Sequence, residues 1–265
     1  MKALLKSHKA LIYQEDLKQA LKKIGLKQGD ILCVHSELFK LGEVLIPKKE
    51  FLQDIIDIFF EIIGKKGTLI MPTFTYSFNR YKDYDKTYTK STVGILTEYF
   101  RTTMAAEGKG IRTNDPIFSF FIKGYNQDQF KSKPLETCFS AGCVYDKLVK
   151  FRGKIILFGT DRLGYTFSHF CEQKAKVGYR FFKEFQGNIT DENSQSKKLK
   201  IKCYLKRDNT KFDLDIEKQI AILKQDNNFN RIEFANSCIV CIDAQKYLKA
   251  TLEALKKDEF ALVKN

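Results

Sequence analysis

The sequence has no tryptophan, four prolines and three histidines among 265 residues. It also contains no run of about 18 apolar residues, which excludes a transmembrane helix of ordinary length. Charged residues interrupt the apolar positions of the first 25 residues, a pattern that does not match a secretory signal peptide. We therefore expect no insertion into a membrane.

Several common site motifs are missing from the sequence. There is no GxGxxG and no Walker A pattern, so neither usual nucleotide-binding fingerprint is present. There is no GxSxG turn for a hydrolase serine and no HExxH pair for zinc. What remains is chemistry carried by isolated polar groups, and no metal site is expected.

Cysteine occurs seven times, an odd number without the spacing of a disulfide framework. This usage favours reduced thiols and a cytoplasmic location. The only CxxC is Cys238 to Cys241, inside the apolar run SCIVCID, and no second CxxC or histidine pair accompanies it. The pattern therefore does not predict a zinc site.

The net charge of +14 predicts attraction to anions such as nucleic acid, anionic lipid or phosphorylated small molecules. The basic residues are scattered and alternate with acidic ones, whereas nucleic-acid modules usually concentrate them around a recognisable motif. A nucleic-acid-binding protein is therefore kept only as a distant alternative from another functional class.

The hydrophobic pattern predicts one α/β domain over residues 1–265, with a mixed sheet flanked by helices. Strand-like and helix-like segments alternate along most of the chain. The predicted strands include residues 31–34, 68–71, 117–122, 154–158, 199–206 and 237–242. The predicted helices include residues 14–24, 48–63, 93–101, 215–224 and 244–256. In the strand at 199–206 we expect Tyr204 to face outward with the lysines.

Polar side chains follow several of these strands at their ends. The residues concerned are His35 and Ser36, Thr73 and Thr75, Arg112 and Ser119, and the triplet Thr166, His169 and Glu172. The triplet has T-x-x-H-x-x-E spacing, which places the three side chains on one face of a helix. A histidine beside a carboxylate can transfer a proton near neutral pH, although such pairs are often only structural.

Four segments resemble, in order and spacing, the successive blocks of the aminoglycoside 3-N-acetyltransferase family. They are VHSELFKLG, GTLIMPTFTY, IRTNDPIFSF and GYTFSHFCE. GYRFFKEFQG, which follows the histidine block, is also similar to members of that family. The resemblance covers roughly residues 18–260. It implies an α/β/α sandwich and a coenzyme A-dependent N-acyltransferase that uses acetyl-CoA.

The resemblance also implies roles for individual residues. His35, Ser36, Arg112, Phe118 and Ser119 would help to hold coenzyme A. Thr73 and Thr75 would lie beside the thioester or the acceptor, and Thr166 is a further candidate for binding the substrate. His169 would be the general base and Glu172 would orient it, although Asp191, Asp213, Asp215 and Glu233 are other carboxylates that could partner His169.

The acceptor is predicted from charge and from two departures from the family pattern. The block that commonly reads Arg-Ser-x-His-Pro has Asp115 in place of its histidine, and the usual serine pair is Ser36–Glu37. The average electrostatic field of a chain with a net charge of +14 repels polycations and attracts anions. We therefore expect an amino-sugar acceptor, with a nucleotide-linked one favoured, and keep an antibiotic aminoglycoside as the alternative. Self-association is left open.

Overall fold

The structure, a computed structural model, describes residues 2–131, 135–208 and 211–264. Its elements alternate between strands and helices for most of the chain. The strands are β1 (Ala3–Lys6), β2 (Leu11–Tyr13), β3 (Ile31–Ser36), β4 (Glu43–Val44), β5 (Thr68–Pro72), β6 (Tyr84–Asp85), β7 (Ile111–Arg112), β8 (Phe120–Gly124), β9 (Lys154–Phe158), β10 (Arg180–Thr190), β11 (Ser196–Lys206), β12 (Asn230–Phe234) and β13 (Ser237–Asp243). The helices are α1 (Gln14–Lys23), α2 (Lys48–Ile63), α3 (Ile95–Ala106), α4 (Val144–Lys150), α5 (Phe167–Ala175), α6 (Ile216–Gln225) and α7 (Ala244–Lys257).

A seven-stranded mixed sheet organises the fold, in the order β12-β13-β9-β3-β5-β8-β7. β3 pairs in parallel with both β9 and β5. The outer pairs, including β9 with β13 and β5 with β8, are antiparallel. The carboxyl ends of β9, β3 and β5 therefore meet at one edge of the sheet.

Helices pack on both faces of this sheet. Successive residues of a strand point to opposite faces, so the sheet contributes side chains to two separate cores. Leu32 and Val34 of β3 enter one core together with side chains of α1, α2 and α3. Cys33, which lies between them, enters a second core with side chains of α4, α5, α6 and α7. The prediction of an α/β/α sandwich around a mixed sheet is confirmed. No helix in the described ranges is long and apolar enough to cross a membrane.

Two smaller sheets extend the sandwich. β2, β1 and β4 form one near the amino terminus, where the sequence predicted no strands. β11, β10 and β6 form the other, with β11 as an outer strand. The outward prediction for Tyr204 is wrong: the side chain is buried, and its hydroxyl donates to the Val177 carbonyl at 2.6 Å.

One strand begins later than its pattern predicts. Residues 117–122 read as a strand, but β8 begins at Phe120. Asp115 Oδ1 accepts hydrogen bonds from the amides of Ile117 and Phe118, at 2.8 and 2.9 Å. This side-chain turn competes with strand pairing and delays the start of β8.

Candidate active site

The carboxyl ends of three central strands deliver several of the polar residues that were singled out in the sequence. β3 ends at Ser36, β5 ends at Pro72, and β9 leads through Gly159 into the loop before α5. Since β9, β3 and β5 are adjacent and parallel, these ends converge at one edge of the sheet. This is the edge at which open α/β sheets commonly bind their ligands.

Helix α5 carries the histidine and its carboxylate. His169 Nδ1 lies 2.6 Å from Glu172 Oε2, one turn along the helix. The His169 side chain is 31% exposed, whereas Glu172 is fully buried. α5 is anchored from behind by the Ser168 hydroxyl, which lies 2.8 Å from Gln219 Oε1 and 2.9 Å from the Tyr247 hydroxyl. The imidazole is thus held in one orientation with part of its ring open to solvent.

Two further residues hold Glu172. Arg180 Nη2 lies 2.9 Å from Oε2, and the Tyr179 hydroxyl donates to Oε1 at 2.8 Å. Burial acts to raise the pKa of Glu172, but the hydrogen bond from His169 and the charges of His169 and Arg180 lower it more. Glu172 is therefore an ionised carboxylate at neutral pH.

These contacts identify the imidazole nitrogen that is free for chemistry. A carboxylate oxygen only accepts hydrogen bonds, so the 2.6 Å contact requires a proton on His169 Nδ1. Arg180 Nη2, at 3.1 Å from the same Nδ1, is also a donor and shares the acceptor Oε2. In the neutral ring Nε2 then carries the lone pair, which is the arrangement of a general base.

A cleft of about 550 Å³ opens at the same edge of the sheet. Its lining is mostly apolar, with polar groups at the strand ends. The lining residues are His35, Ser36, Glu37, Leu38, Phe39, Pro72, Phe74, Tyr76, Val93, Gly94, Ile95, Thr97, Leu163, Gly164 and Thr166. Thr166 links this cleft to the His169–Glu172 pair, because its carbonyl oxygen accepts a hydrogen bond from the His169 backbone N–H at 3.0 Å.

His35 is a buried residue of the cleft lining and differs in its surroundings from His169. It is 7% exposed, and burial lowers its pKa to about 4. The ring is therefore neutral at neutral pH and cannot attract a phosphate by charge. Gly164 packs directly on it, since a Cβ at Gly164 would lie 2.7 Å from His35 Cβ.

Thr73 and Thr75 point away from the cleft, whereas their neighbours Pro72, Phe74 and Tyr76 line it. Both threonines are buried, and the Thr75 hydroxyl donates to the Pro116 carbonyl at 2.8 Å. Their predicted contact with the acceptor stays a prediction.

Arg112 is buried beneath these threonines. Its guanidinium donates to the carbonyls of Thr73, Thr89 and Lys86 at 3.0, 2.6 and 3.1 Å. It also lies over the Tyr84 ring at 5.2 Å. These contacts join the end of β5 to the loop that leads to Val93 and Gly94 of the cleft. A contact with coenzyme A stays a prediction for Arg112.

Ser119 and Phe118 lie in the same layer behind the cleft. The Ser119 hydroxyl donates to the Thr73 carbonyl at 2.5 Å and is fully buried. Phe118 packs edge-on against Phe74 and Tyr76, with ring centroids 5.2 and 5.7 Å apart. Neither side chain is part of the cleft lining. Their predicted contact with coenzyme A stays a prediction.

The carboxylates considered as other partners for His169 are engaged elsewhere. Asp191 accepts backbone amides in the turn between β10 and β11. Asp215 caps α6, while Asp213 and Glu233 pair with Lys206 and Arg231. The structure thus brings only Glu172, of the residues considered, to the imidazole.

Sequence reasoning did not identify Tyr179 and Arg180 as part of this site. They contact Glu172 from the start of β10, across a helix end at Lys176 that adopts the left-handed conformation. A signal was available, since both residues lie in GYRFFKEFQG, the segment that resembles family members.

Among the residues described, no cluster of three or more His, Cys, Asp or Glu side chains could hold a metal ion.

Comparison with known proteins supports a common origin for this fold. A Bacillus subtilis (strain 168) protein described as an SPbeta prophage-derived aminoglycoside N(3')-acetyltransferase-like protein, YokD, is 25% identical over 184 residues. That match spans 61% of this chain and 65% of YokD, less than two thirds of its length.

Solved structures share the fold over almost the whole chain. A structure described as AAC-IIIb binary with CoASH has a TM-score of 0.77 at 19% identity, covering 92% of this chain and 96% of that one. The crystal structure of aminoglycoside acetyltransferase AAC(3)-Xa has a TM-score of 0.78 at 16% identity, covering 92% of each chain. The model of the aminoglycoside 3-N-acetyltransferase family matches residues 33–256, and this protein therefore belongs to that family.

Proposed function

We propose that the protein transfers the acetyl group of acetyl-CoA to an amino group of an amino sugar. The observation that carries this proposal is the His169–Glu172 pair, which Arg180 holds on α5 one turn after Thr166, a residue of the mostly apolar cleft lining. The apolar walls fit the uncharged arm of a thioester donor, and a protein described as AAC-IIIb binary with CoASH has the same fold.

His169 acts as the general base in this mechanism. Nε2 removes a proton from the acceptor amine as its nitrogen attacks the thioester carbonyl. The tetrahedral intermediate then collapses, the carbon–sulfur bond breaks, and the proton held on Nε2 passes to the leaving thiolate. The products are the N-acetyl amine and free coenzyme A, so atoms and protons balance.

Glu172 positions the base and balances the charge that forms on it. Its carboxylate fixes the proton on Nδ1 and faces the imidazolium at 2.6 Å. Arg180 and Tyr179 prevent the carboxylate from turning away. Thr166, which lines the cleft one turn before the base, is the side chain best placed to contact the reacting group or the acceptor.

The net charge of the chain and the charge inside the cleft favour two different classes of amino-sugar acceptor. The net charge of +14 favours a nucleotide-linked amino sugar, because the average field attracts its phosphates. Glu37 favours a cationic aminoglycoside, because it is the carboxylate of a cleft lining that contains no lysine or arginine among the described residues. Glu37 is 8% exposed, and its Oε2 contacts Lys40 Nζ at 2.9 Å. The nucleotide-linked acceptor is our first candidate and the aminoglycoside our second.

The decisive experiment measures thiol release from acetyl-CoA with separate acceptors. The panel contains antibiotic aminoglycosides and nucleotide-linked 3- and 4-amino sugars. Release with an amino sugar of either class supports acetyl transfer, and the ratio of kcat/KM between the classes identifies the acceptor. No release with any acceptor, together with no binding of coenzyme A by calorimetry, would overturn the proposal.

A further inference from the structure

Tyr76 occupies an unusual backbone position in the cleft lining. Its φ of 52° lies in the left-handed region, which bulky side chains seldom adopt and which is often found at ligand sites. The ring packs edge-on against Phe118, with centroids 5.7 Å apart. Burial raises the pKa of Tyr76, so the hydroxyl keeps its proton at neutral pH. Because this hydroxyl makes no hydrogen bond to any residue that the structure describes, it is a donor available to a ligand.

Arg80 lies beside Tyr76 and is exposed. The central carbon of its guanidinium is 5.7 Å from the centroid of the Tyr76 ring. Within residues 2–131, 135–208 and 211–264 the guanidinium forms neither an ion pair nor a hydrogen bond. Arg80 is therefore a permanent cation next to the cleft, with its N–H donors available.

The fold fixes the position of this arginine. Arg80 ends the short turn Phe78–Arg80, and Phe78 is buried. Gly187 of β10 packs on the Phe78 ring, because a Cβ at Gly187 would lie 2.7 Å from a ring carbon. β10 begins with Arg180, which contacts Glu172. The strand that orients the carboxylate of the active site thus also supports the turn that carries Arg80.

The two charges at the cleft differ in whether they are balanced. The carboxylate of Glu37 lies in the lining and contacts Lys40 Nζ at 2.9 Å, so its charge is compensated within the protein. The guanidinium of Arg80 has no such counter-charge among the described residues. The unbalanced charge beside the cleft is therefore positive, and it favours a ligand that carries an anionic group.

We propose that Arg80 is the specificity-determining residue for the acceptor and that its guanidinium binds a phosphate of a nucleotide-linked amino sugar. The inference rests on the proposed function. A guanidinium presents paired N–H donors that match two phosphate oxygens, and the Tyr76 hydroxyl donates to the same phosphate. An antibiotic aminoglycoside has no phosphate and would bring its own positive charge to this arginine. The local contact therefore selects the first of the two acceptor classes.

Two acceptors that differ only in their phosphates test this assignment. One is a 4-amino sugar linked to uridine diphosphate, and the other is the methyl glycoside of the same amino sugar. The readout is the kcat/KM for the first acceptor divided by that for the second, at saturating acetyl-CoA. In Arg80→Gln we expect this ratio to fall about tenfold, as for the loss of one charge-assisted contact.

Two further variants make the test specific. Lys82→Gln removes an exposed cation two residues along the chain that does not line the cleft, and the ratio should stay at the parent value. Arg80→Lys keeps the charge but loses the paired donors, and the ratio should fall about threefold. The KM for acetyl-CoA should be the same in all three variants as in the parent.

A binding measurement does not depend on turnover. Calorimetry with uridine diphosphate is carried out at saturating coenzyme A, so that the donor site is already occupied. The parent and Lys82→Gln should bind with equal affinity, and Arg80→Gln should bind about tenfold more weakly. If the parent bound no uridine diphosphate under these conditions, the assignment would be wrong.

The outcomes separate this inference from the proposed function. If Arg80→Gln keeps the parent ratio, or if Lys82→Gln loses as much as Arg80→Gln, the phosphate is not read by Arg80 and acetyl transfer still stands. A higher KM for acetyl-CoA in Arg80→Gln, with an unchanged ratio, would place Arg80 at the donor and also overturn the assignment. A parent protein that neither binds coenzyme A nor releases thiol with any acceptor would contradict the proposed function itself.

Discussion

His169 and His35 show how far the surroundings of one residue type decide its chemistry. His35 is buried on β3, where burial lowers its pKa to about 4 and keeps the ring neutral. His169 is partly exposed on α5 and has an ionised carboxylate on Nδ1. Both were candidates from sequence, but only the second has the geometry of a general base.

His169→Gln should lower kcat by roughly 10²–10⁴-fold, because it removes the proposed acceptor of the amine proton. Steady-state thiol release measures this effect. Affinity for coenzyme A and the Tm should stay close to the parent values, since the side chain contributes little to the core. If the variant retained kcat within about threefold of the parent, His169 would not be the base.

Glu172→Gln should destabilise the fold as well as lower kcat. The change leaves the buried guanidinium of Arg180 without its counter-charge, which typically costs about 3–5 kcal/mol. Chemical denaturation measures this loss of unfolding free energy. Glu184→Gln is the matched control, because the Glu184 carboxylate pairs with Lys200 at 3.0 Å on the surface and should change stability by at most about 1 kcal/mol. Equal effects for both variants would contradict a buried charge network.

At the scale of elements, the site depends on where β3, β5 and β9 end. The pattern predicted α2 and β9 with the bounds that the structure has, Lys48–Ile63 and Lys154–Phe158. Long amphipathic helices and buried apolar strands carry a strong periodic signal. The two-residue strands β4, β6 and β7 carry almost none, and they form only because longer neighbours pair with them.

Gly164→Ala should disturb the cleft, whereas Gly25→Ala should not. Both glycines have a left-handed φ, +93° and +92°, so both alanines add a similar backbone strain of about 1–2 kcal/mol. Only at Gly164 would the new Cβ meet another side chain, because nothing lies within 4 Å at Gly25. We expect a higher KM for acetyl-CoA in Gly164→Ala alone, measured by thiol release. Matching KM values in the two variants would contradict the expectation that the packing of Gly164 on His35 shapes the cleft.

At the scale of the whole molecule, net charge and local charge disagree. The chain carries +14, yet the described residues that line the cleft include a carboxylate and no lysine or arginine. Basic residues instead lie on surfaces such as β11, where Lys200 and Lys202 pair with glutamates. Average charge therefore describes the approach of a ligand better than the contacts inside this cleft.

The stability of the whole molecule should depend on the pH through Asp115. Burial raises the pKa of Asp115 to about 6, so between about pH 4 and pH 6 the native state holds a proton that the unfolded state has lost. Stability then falls as the pH rises through this range.

Asp115→Asn removes this dependence while Oδ1 can still accept the two backbone amides. Relative to the parent, the variant should gain on the order of 2–3 kcal/mol of unfolding free energy between pH 4 and pH 7. Urea unfolding at several pH values measures the gain. Glu172 does not alter this comparison, because its pKa is lowered in the parent and in the variant alike and its contribution cancels in the difference. Parallel stability curves for parent and variant would contradict a protonated Asp115.

The sequence by itself determined the alternation of strands and helices, the α/β domain with a mixed sheet flanked by helices, and the T-x-x-H-x-x-E stripe, because hydrophobic periodicity and helical spacing are local properties. Only the tertiary structure decided which strand ends meet, that Arg180 returns to Glu172 from β10, and that Arg112 lies behind the cleft with its donors on backbone carbonyls. Those facts depend on strand order and burial, which bring together residues far apart in the chain.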